Sequence, residues 1–310
     1  MIISIVIPVH NAGKYLDRCL ESILEALRGA EGEILITNDH STDNSMEIAR
    51  KFQEKYPGFI HVMDCDSRGA GAVRNFGANK AQGDYIWFID ADDEINPLAI
   101  KKLLSEAHSK DADLVMMGAE RIYPDGRHDY LSAVTPNEPN YVSRFVRYGV
   151  GPWQVVMRRK WWRKNKFAFR EGIIHEDMEL MSVLILYANG RFAAVNEPLY
   201  YYYQNDGSIL HKNEWNPHCL DIFPALEGLY DRFKNIGAEK QYRDELEWFF
   251  IWNLLIDSAK DFAKFPEGHS GFLRSRQILK EYFPKWRRNR FLRQKPLKLR
   301  IRVRLNYCRN

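Results

Sequence analysis

Tyr85-Ile86-Trp87-Phe88-Ile89-Asp90-Ala91-Asp92-Asp93 is the stretch from which the rest of the chain is best read. Five apolar residues follow one another without the alternation of a half-exposed strand, and three carboxylates then crowd into four positions. An unalternating run of aromatic and β-branched residues suits a strand buried on both faces. Such strands belong to parallel sheets covered by helices, and ligands of those sheets gather outside the carboxyl ends of the strands. The acids therefore stand where a ligand is expected.

The same pattern recurs on either side of this stretch. Ile2–Ile7, Ile34–Ile36, Ile60–Met63 and Leu114–Met117 are short apolar runs rich in Ile, Val and Met. Segments with helix punctuation separate them. Asn11 can cap a helix over Ala12–Arg28 that ends at Gly29, Ser45–Tyr56 stops at Pro57, and Ala72–Gln82 stops at Gly83. The alternation predicts an α/β fold, a Rossmann-like, mostly parallel sheet flanked by helices. Beyond Gly118 the pattern is less regular. Helical periods over Tyr141–Tyr148 and Glu176–Tyr187 flank a basic-aromatic stretch from Arg158 to Phe169, and Val195–Tyr203 reads as a strand. From Asn216 the chain is mainly helical, so a boundary is expected near residue 210, between a domain over 1–210 and a helical region over 211–310.

Composition narrows the function classes. The 310 residues are 45% hydrophobic and 28% charged, as in an ordinary folded protein. Cys19, Cys65, Cys219 and Cys308 are far apart, which argues against a disulfide framework or zinc site and for a reducing compartment. No apolar stretch approaches the ~20 residues that span a bilayer, and Met1–Ile7 is too short for a signal-peptide core. A cytoplasmic protein is expected. The net charge of +4 hides an asymmetry: Tyr282–Asn310 carries 11 Lys/Arg and no acid, leaving 34 basic against 41 acidic residues elsewhere. An anionic partner is therefore expected at the basic tail, 285–310, rather than at the body.

Four local motifs can carry chemistry, and each has a plain structural alternative. Asp90-Ala91-Asp92-Asp93 crowds carboxylates whose repulsion a divalent cation relieves, and oxygen ligands favour Mg2+ or Mn2+. The alternative is a solvated acidic turn. Asn38-Asp39-His40-Ser41 places Asp39 at a strand end, where it can accept hydrogen bonds from a base or ribose, or simply form an Asx turn. Gly69-Ala70-Gly71-Ala72-Val73-Arg74-Asn75 is a glycine-rich turn entering a helix; its backbone can approach phosphates while Arg74 adds a positive fork, or it is merely a tight turn. Glu176-Asp177-Met178-Glu179 opens a helix, where Asp177 is either favoured by the helix dipole or serves as a general base.

Taken in order, Ile7-Pro8-Val9-His10-Asn11, Asn38-Asp39-His40-Ser41, Arg74-Asn75, Asp90-Ala91-Asp92-Asp93 and Glu176-Asp177 resemble family 2 glycosyltransferases of the GT-A fold. The resemblance extends over about the first 210 residues, through Tyr201-Tyr202-Tyr203 and Gly207-Ser208-Ile209. It implies nucleotide-sugar binding by residues 1–100 and an acceptor side over 101–210. Donor-binding residues would be Pro8, Asn11, Asp39, Arg74, Asp90 and Asp92. Asp39 would meet the base, uracil in a UDP-sugar, and Arg74 would lie against the nucleotide. Asp92 would hold Mn2+ or Mg2+ on the diphosphate, with Asp90 near the ribose or metal. Asp177 would be the catalytic base of an inverting displacement onto a glycan or lipid-linked acceptor.

The sequence departs from the family where Asn38 stands for the first of two Asp, His10 for Tyr and His40 for Gly; His211 is a candidate further metal ligand. Gln154-Val155-Val156-Met157 does not continue into the Gln-x-x-Arg-Trp motif of processive polymer synthases, so transfer of single sugars is expected. Two other readings stay open: a catalytically inactive sugar-nucleotide-binding partner, and a phosphatase using Asp90 and Asp92, against which Glu94 and the late position argue. In the tail, Leu297-Lys298-Leu299-Arg300-Ile301-Arg302-Val303-Arg304-Leu305 alternates apolar and basic, which predicts a two-faced strand starting after Pro296. It would rest on an anionic membrane surface or pack as an edge strand. No nucleic-acid-binding motif accompanies the charge, and no nucleic acid partner is expected.

Overall fold

A computed structural model describes residues 1–205 and 215–309. The chain forms two compact units: Met1–Tyr141, Val150–Gly172 and Leu184–Asp206 make the first, and Val142–Gly149, Ile173–Val183 and Gly207–Asn310 the second.

The first unit is built on a nine-stranded sheet. Its strands are β1 (Ile2–Val9), β2 (Glu31–Asn38), β3 (Ile60–Asp64), β4 (Tyr85–Phe88), β5 (Glu94–Ile95), β6 (Leu114–Ile122), β7 (His128–Leu131), β8 (Val155–Arg158) and β9 (Phe192–Tyr203). They lie in the order β3-β2-β1-β4-β8-β6-β9-β5, with β7 on β6. From β3 to β4 every pairing is parallel, as the unalternating apolar runs predict. Beyond β4 the sheet is mixed: β8 runs antiparallel to β4 and β6, whereas β9 is parallel to β6. Helices α1 (Leu16–Ala26), α2 (Ser45–Lys55), α3 (Ala70–Lys80) and α4 (Ala99–Ser109) make the crossovers of the parallel half and its exit. All four residues of β4 are buried, and Ile3, Ile5, Trp87 and Ile89 share one core with Leu16, Leu20 and Ile23 of α1.

Close packing of α3 requires a glycine. A Cβ on Gly77 would lie 2.3 Å from Val6 Cγ1, so the helix reaches β1 only because that atom is missing. Helix α1 starts later than the sequence predicts. Asn11 does not cap it; the residue has φ +51°, and its side-chain oxygen instead accepts the Thr42 N–H at 2.7 Å.

The second unit is helical. It takes α5 (Tyr141–Tyr148) from Val142 onward, with α6 (Arg159–Lys164) preceding in the first unit, and then α7 (Met178–Met181). Helix α8 (Leu184–Ala188) returns to the first unit, so the helix predicted over 176–187 is divided at Ser182–Val183. After the undescribed residues come α9 (Ile222–Asn235), α10 (Arg243–Trp252), α11 (Ser258–Phe262), α12 (His269–Tyr282), α13 (Arg290–Arg293) and α14 (Leu297–Cys308).

The basic tail is a helix, not the predicted strand. A strand needs a neighbour for its backbone hydrogen bonds, whereas a helix satisfies its own. Leu, Lys and Arg favour helix, and Pro296 is tolerated ahead of the first turn. Val303 is fully buried, Asn306 donates to the Leu255 carbonyl at 2.9 Å, and Tyr307 lies 5.0 Å from Trp286. These contacts recur at helical, not strand, spacing. Among the described residues no helix is long and apolar enough to cross a membrane.

Candidate active site

The site begins where β1 and β2 end. Their parallel register sets Pro8 beside Thr37 and Val9 beside Asn38. The loop after β2 is then tied down from several sides. The Asp39 N–H donates to the Val9 carbonyl at 2.8 Å, and His10 Nδ1 donates to the Asp39 carbonyl at 2.6 Å. Ser41 accepts the Asn11 N–H, and Asn11 Oδ1 accepts from Thr42 and Asp43. Asn11 thus orders the loop that carries Asp39. Asn38, which stands where the family has an acid, is 8% exposed and bridges Asp64 Oδ1 at 2.7 Å to the Ser41 N–H at 3.0 Å. An amide can do this because it both donates and accepts; a carboxylate would face Asp64 with no proton to offer. His10 and His40 are loop residues: His10 is exposed, and His40, at φ +54°, lies 3.6 Å from the Asp39 carboxylate.

Asp39 joins this loop to the next element. Its Oδ2 accepts the N–H of Gly69 at 3.0 Å, at the entry to α3, where Gly69 has φ +93°. About one turn into α3, the 7%-exposed Arg74 donates to Asp90 Oδ1 at 2.8 Å. Its guanidinium lies 5.7 Å from the ring of Phe169. Asn75 clamps that segment by donating to the Phe169 carbonyl at 2.9 Å and accepting its N–H at 2.8 Å. A chain of contacts therefore runs from Asp39 through Gly69 and Arg74 to Asp90, across the carboxyl ends of β1, β2 and β4.

The three acids after β4 occupy different surroundings. Asp93 is fully buried; its carboxylate accepts the Tyr200 hydroxyl at 2.7 Å and the Tyr203 N–H at 2.8 Å. Burial, followed by Asp92 and Asp90, pushes its pKa well above the usual carboxylate range. Tyr200 is itself held by stacking on Trp153, with centroids 4.6 Å apart. Asp92 accepts from Asn205 Nδ2 at 2.9 Å, and its main-chain carbonyl accepts from Arg18 at 2.7 Å. Its pKa is also raised, first by burial and then by Asp90. Arg18 lies 3.8 Å over the Tyr203 ring, whose phenol burial and Glu94 push up to about 12.

Among the described residues no three His, Cys, Asp or Glu converge as a metal cage. Mg2+ and Mn2+ do not need one, since one or two carboxylates together with substrate phosphates commonly suffice. Asp92 is half-buried, adjoins Asp90 in the same acidic turn and accepts one neutral amide N–H on its carboxylate, a donor that fits such a shared cation. Asp90 is already paired with Arg74.

Asp177 belongs to the second unit. It precedes α7, and its carbonyl accepts the N–H groups of Leu180 and Met181 at 3.0 and 2.8 Å. Glu179 receives Arg232 of α9 at 2.9 Å and lies against Gly228, where a Cβ would come within 2.3 Å of its carboxylate. His175 has φ +71°, and burial depresses its pKa against the opposing pull of Glu176, Asp221, Asp257 and Asp261. His211 and Gly207-Ser208-Ile209 lie outside the described residues.

Arg18, Trp153, Tyr200 and Asn205 have structural roles here that sequence reasoning missed. Only the tyrosine run before Asn205 offered a signal, as a strand too rich in phenols to be a plain core strand.

Known proteins share both this fold and its sequence motifs. Residues 4–169 match glycosyl transferase family 2. The chain belongs to that family. It is accordingly a glycosyltransferase with the GT-A fold. It is 30% identical over 245 residues to the uncharacterized glycosyltransferase YibD of Escherichia coli, covering 73% of this chain and 70% of YibD. The poly(ribitol-phosphate) beta-N-acetylglucosaminyltransferase TarS of Staphylococcus aureus is 21% identical over 245 residues, 78% of this chain and 42% of TarS. A crystal structure of TarS residues 1–349 with UDP-GlcNAc matches 99% of this chain and 89% of that one, at TM-score 0.74 and 18% identity. The mannosyltransferase PcManGT of Pyrobaculum calidifontis, in complex with GDP-Man and Mn2+, matches 99% of this chain and 87% of its own at TM-score 0.55 and 12% identity. At these identities the two structures establish the shared fold.

Proposed function

We propose that this family 2 glycosyltransferase moves a sugar from a UDP-sugar to a hydroxyl of a glycan or lipid-linked acceptor, in the synthesis of a surface polysaccharide at the cytoplasmic face of the membrane. The observation that carries the reading is the run of contacts from Asp39 through Gly69 and Arg74 to Asp90, within the span that matches the family. Asp39, on a loop ordered by Asn11, receives the base above Pro8 at the end of β1, and Arg74 of α3 meets the nucleotide. The TarS complex with UDP-GlcNAc supports a uridine donor.

Asp92, beside Asp90, would hold Mn2+ or Mg2+, which when bound neutralises charge on the diphosphate. The Mn2+ in the PcManGT complex supports that choice. Asp177 takes the proton of the acceptor hydroxyl as its oxygen bonds to the anomeric carbon. The bond from that carbon to the diphosphate oxygen breaks on the opposite face, and the configuration inverts. Attachment of α7 to α9 through Glu179 and Arg232 favours this role, because a general base has to be held still.

A panel of nucleotide sugars with Mn2+ tests the donor: one should both raise the melting temperature and be slowly hydrolysed. Stabilisation without hydrolysis or transfer would instead mark an inactive binding partner, and phosphate release from monoesters a phosphatase. Asp177→Asn should abolish transfer while UDP affinity stays within about twofold. Preserved turnover would remove Asp177 from its assigned role.

A further inference from the structure

The alternation of apolar and basic residues takes on a different meaning once the tail is a helix. Every second residue of an α-helix is rotated by about 200°, so alternating apolar residues fall on two opposite faces. On α14 one of these faces, with Val303 and Tyr307, packs inward. The other carries Leu297, Ile301 and Leu305 at successive four-residue intervals, and they retain 66, 47 and 65% of their surface. Cys308 continues this outer face and is exposed. Basic residues line both of its sides, Arg300 and Arg304 on one, Lys298 and Arg302 on the other, and α14 contains no acid.

We propose that this face of α14 docks the enzyme onto an anionic lipid bilayer, lying in the plane of the interface with Leu297, Ile301 and Leu305 among the upper acyl chains and the flanking Lys and Arg at the headgroups. Charge complementarity selects this occupant. Long basic side chains reach up from an inserted apolar stripe to phosphates, and an anionic leaflet adds an attraction that a neutral one lacks. Nucleic acid would engage the charges but leaves three exposed aliphatic side chains without a role. A second copy of α14 would bring two basic borders together with no acid on the helix to offset them. The proposal rests on the second unit alone and stands apart from the donor chemistry of the first.

The test uses the full chain and vesicles of phosphatidylcholine, with or without about one-third phosphatidylglycerol, at about 0.1 M salt. Cys308 is the exposed cysteine, whereas Cys19, Cys65 and Cys219 are buried, so a polarity-sensitive thiol dye can report on this face. Binding should appear with the anionic vesicles only, with a blue shift of the dye. The triple variant L297S/I301S/L305S should lower partitioning by on the order of a hundredfold, and K298E/R302E by about tenfold or more. Both variants change exposed positions, and unaltered circular dichroism and donor hydrolysis would show an intact fold. Equal binding to neutral vesicles, undiminished binding of the triple variant, or an unshifted dye would overturn the proposal. So would self-association in sedimentation that is lost in the triple variant, or RNA binding with no vesicle binding.

Discussion

Replacing Arg74 by Met probes the contact between α3 and the acids after β4. The guanidinium is 8% exposed and the Asp90 side chain 28%, with the two groups 2.8 Å apart. Removing one partner of a buried pair costs about 3–5 kcal/mol, because the remaining charge stays desolvated. Asp90 keeps enough exposure for water to recover part of that loss, so about 2–4 kcal/mol is expected for Arg74→Met. The carboxylate left behind also faces Asp92, whose proton affinity it already raises. Asp90→Asn alone should cost less, since Arg74 retains the face of Phe169. If the pair works as described, the double variant is more stable than the sum of the single losses implies, by about 1.5–3 kcal/mol. Urea unfolding of the four proteins at neutral pH, without divalent cations, measures this coupling. A value below about 0.5 kcal/mol would mean that Arg74 and Asp90 do not act together, and the run of contacts from Asp39 would be broken at its last link.

Gly77→Ala drives a methyl to 2.3 Å from Val6 Cγ1, and the overpacking should outweigh the gain in helix propensity to leave a loss of about 1–2 kcal/mol in urea unfolding. For His175, burial holds the folded-state pKa below the ordinary value of about 6.5, so the unfolded chain binds the proton more readily. Its contribution is fully present above that value and is lost as pH falls toward the depressed pKa. His175→Asn, with a side chain that accepts φ +71°, should flatten the decline of the urea midpoint between neutral and mildly acid pH. Asn75→Ala removes both backbone bonds to Phe169, and hydrogen exchange at Phe169 should accelerate by on the order of tenfold or more.

Local reading succeeded where one strand or turn contains its own explanation. The runs that became β1 and β4 lack alternation because both their faces are covered, and this is visible without knowing the neighbours. Asp39 and the acids after β4 could be singled out because strand ends are where parallel sheets bind ligands. Their partners were hidden by distance along the chain. Tyr200 meets Asp93 across 107 residues and Asn205 meets Asp92 across 113, and no spacing rule links such positions. Arg18 looks like any polar residue of an amphipathic helix until the Asp92 carbonyl lies beneath it. The tail misled for a different reason: a period of two marks a strand with one apolar face or a helix with two, and only the docking of Val303, Asn306 and Tyr307 distinguishes them.

The three carboxylates after β4 are chemically identical in the sequence, and what already surrounds each one separates their roles. Asp93 has its oxygens engaged by Tyr200 and Tyr203, far from water, so it ties β9 to the end of β4 and is closed to any ligand. Asp90 has the Arg74 guanidinium, which holds it in place and offsets its charge. Asp92 receives one neutral amide N–H from Asn205 among the described residues and no cation on its carboxylate, while burial and Asp90 make its charge unfavourable. We propose that a positive charge reaches Asp92 together with the ligand. A single carboxylate binds a divalent ion weakly in water, but the oxygens of a nucleotide diphosphate complete the coordination shell. In the proposed reaction Asp92 would therefore hold the metal together with the diphosphate of the donor rather than alone.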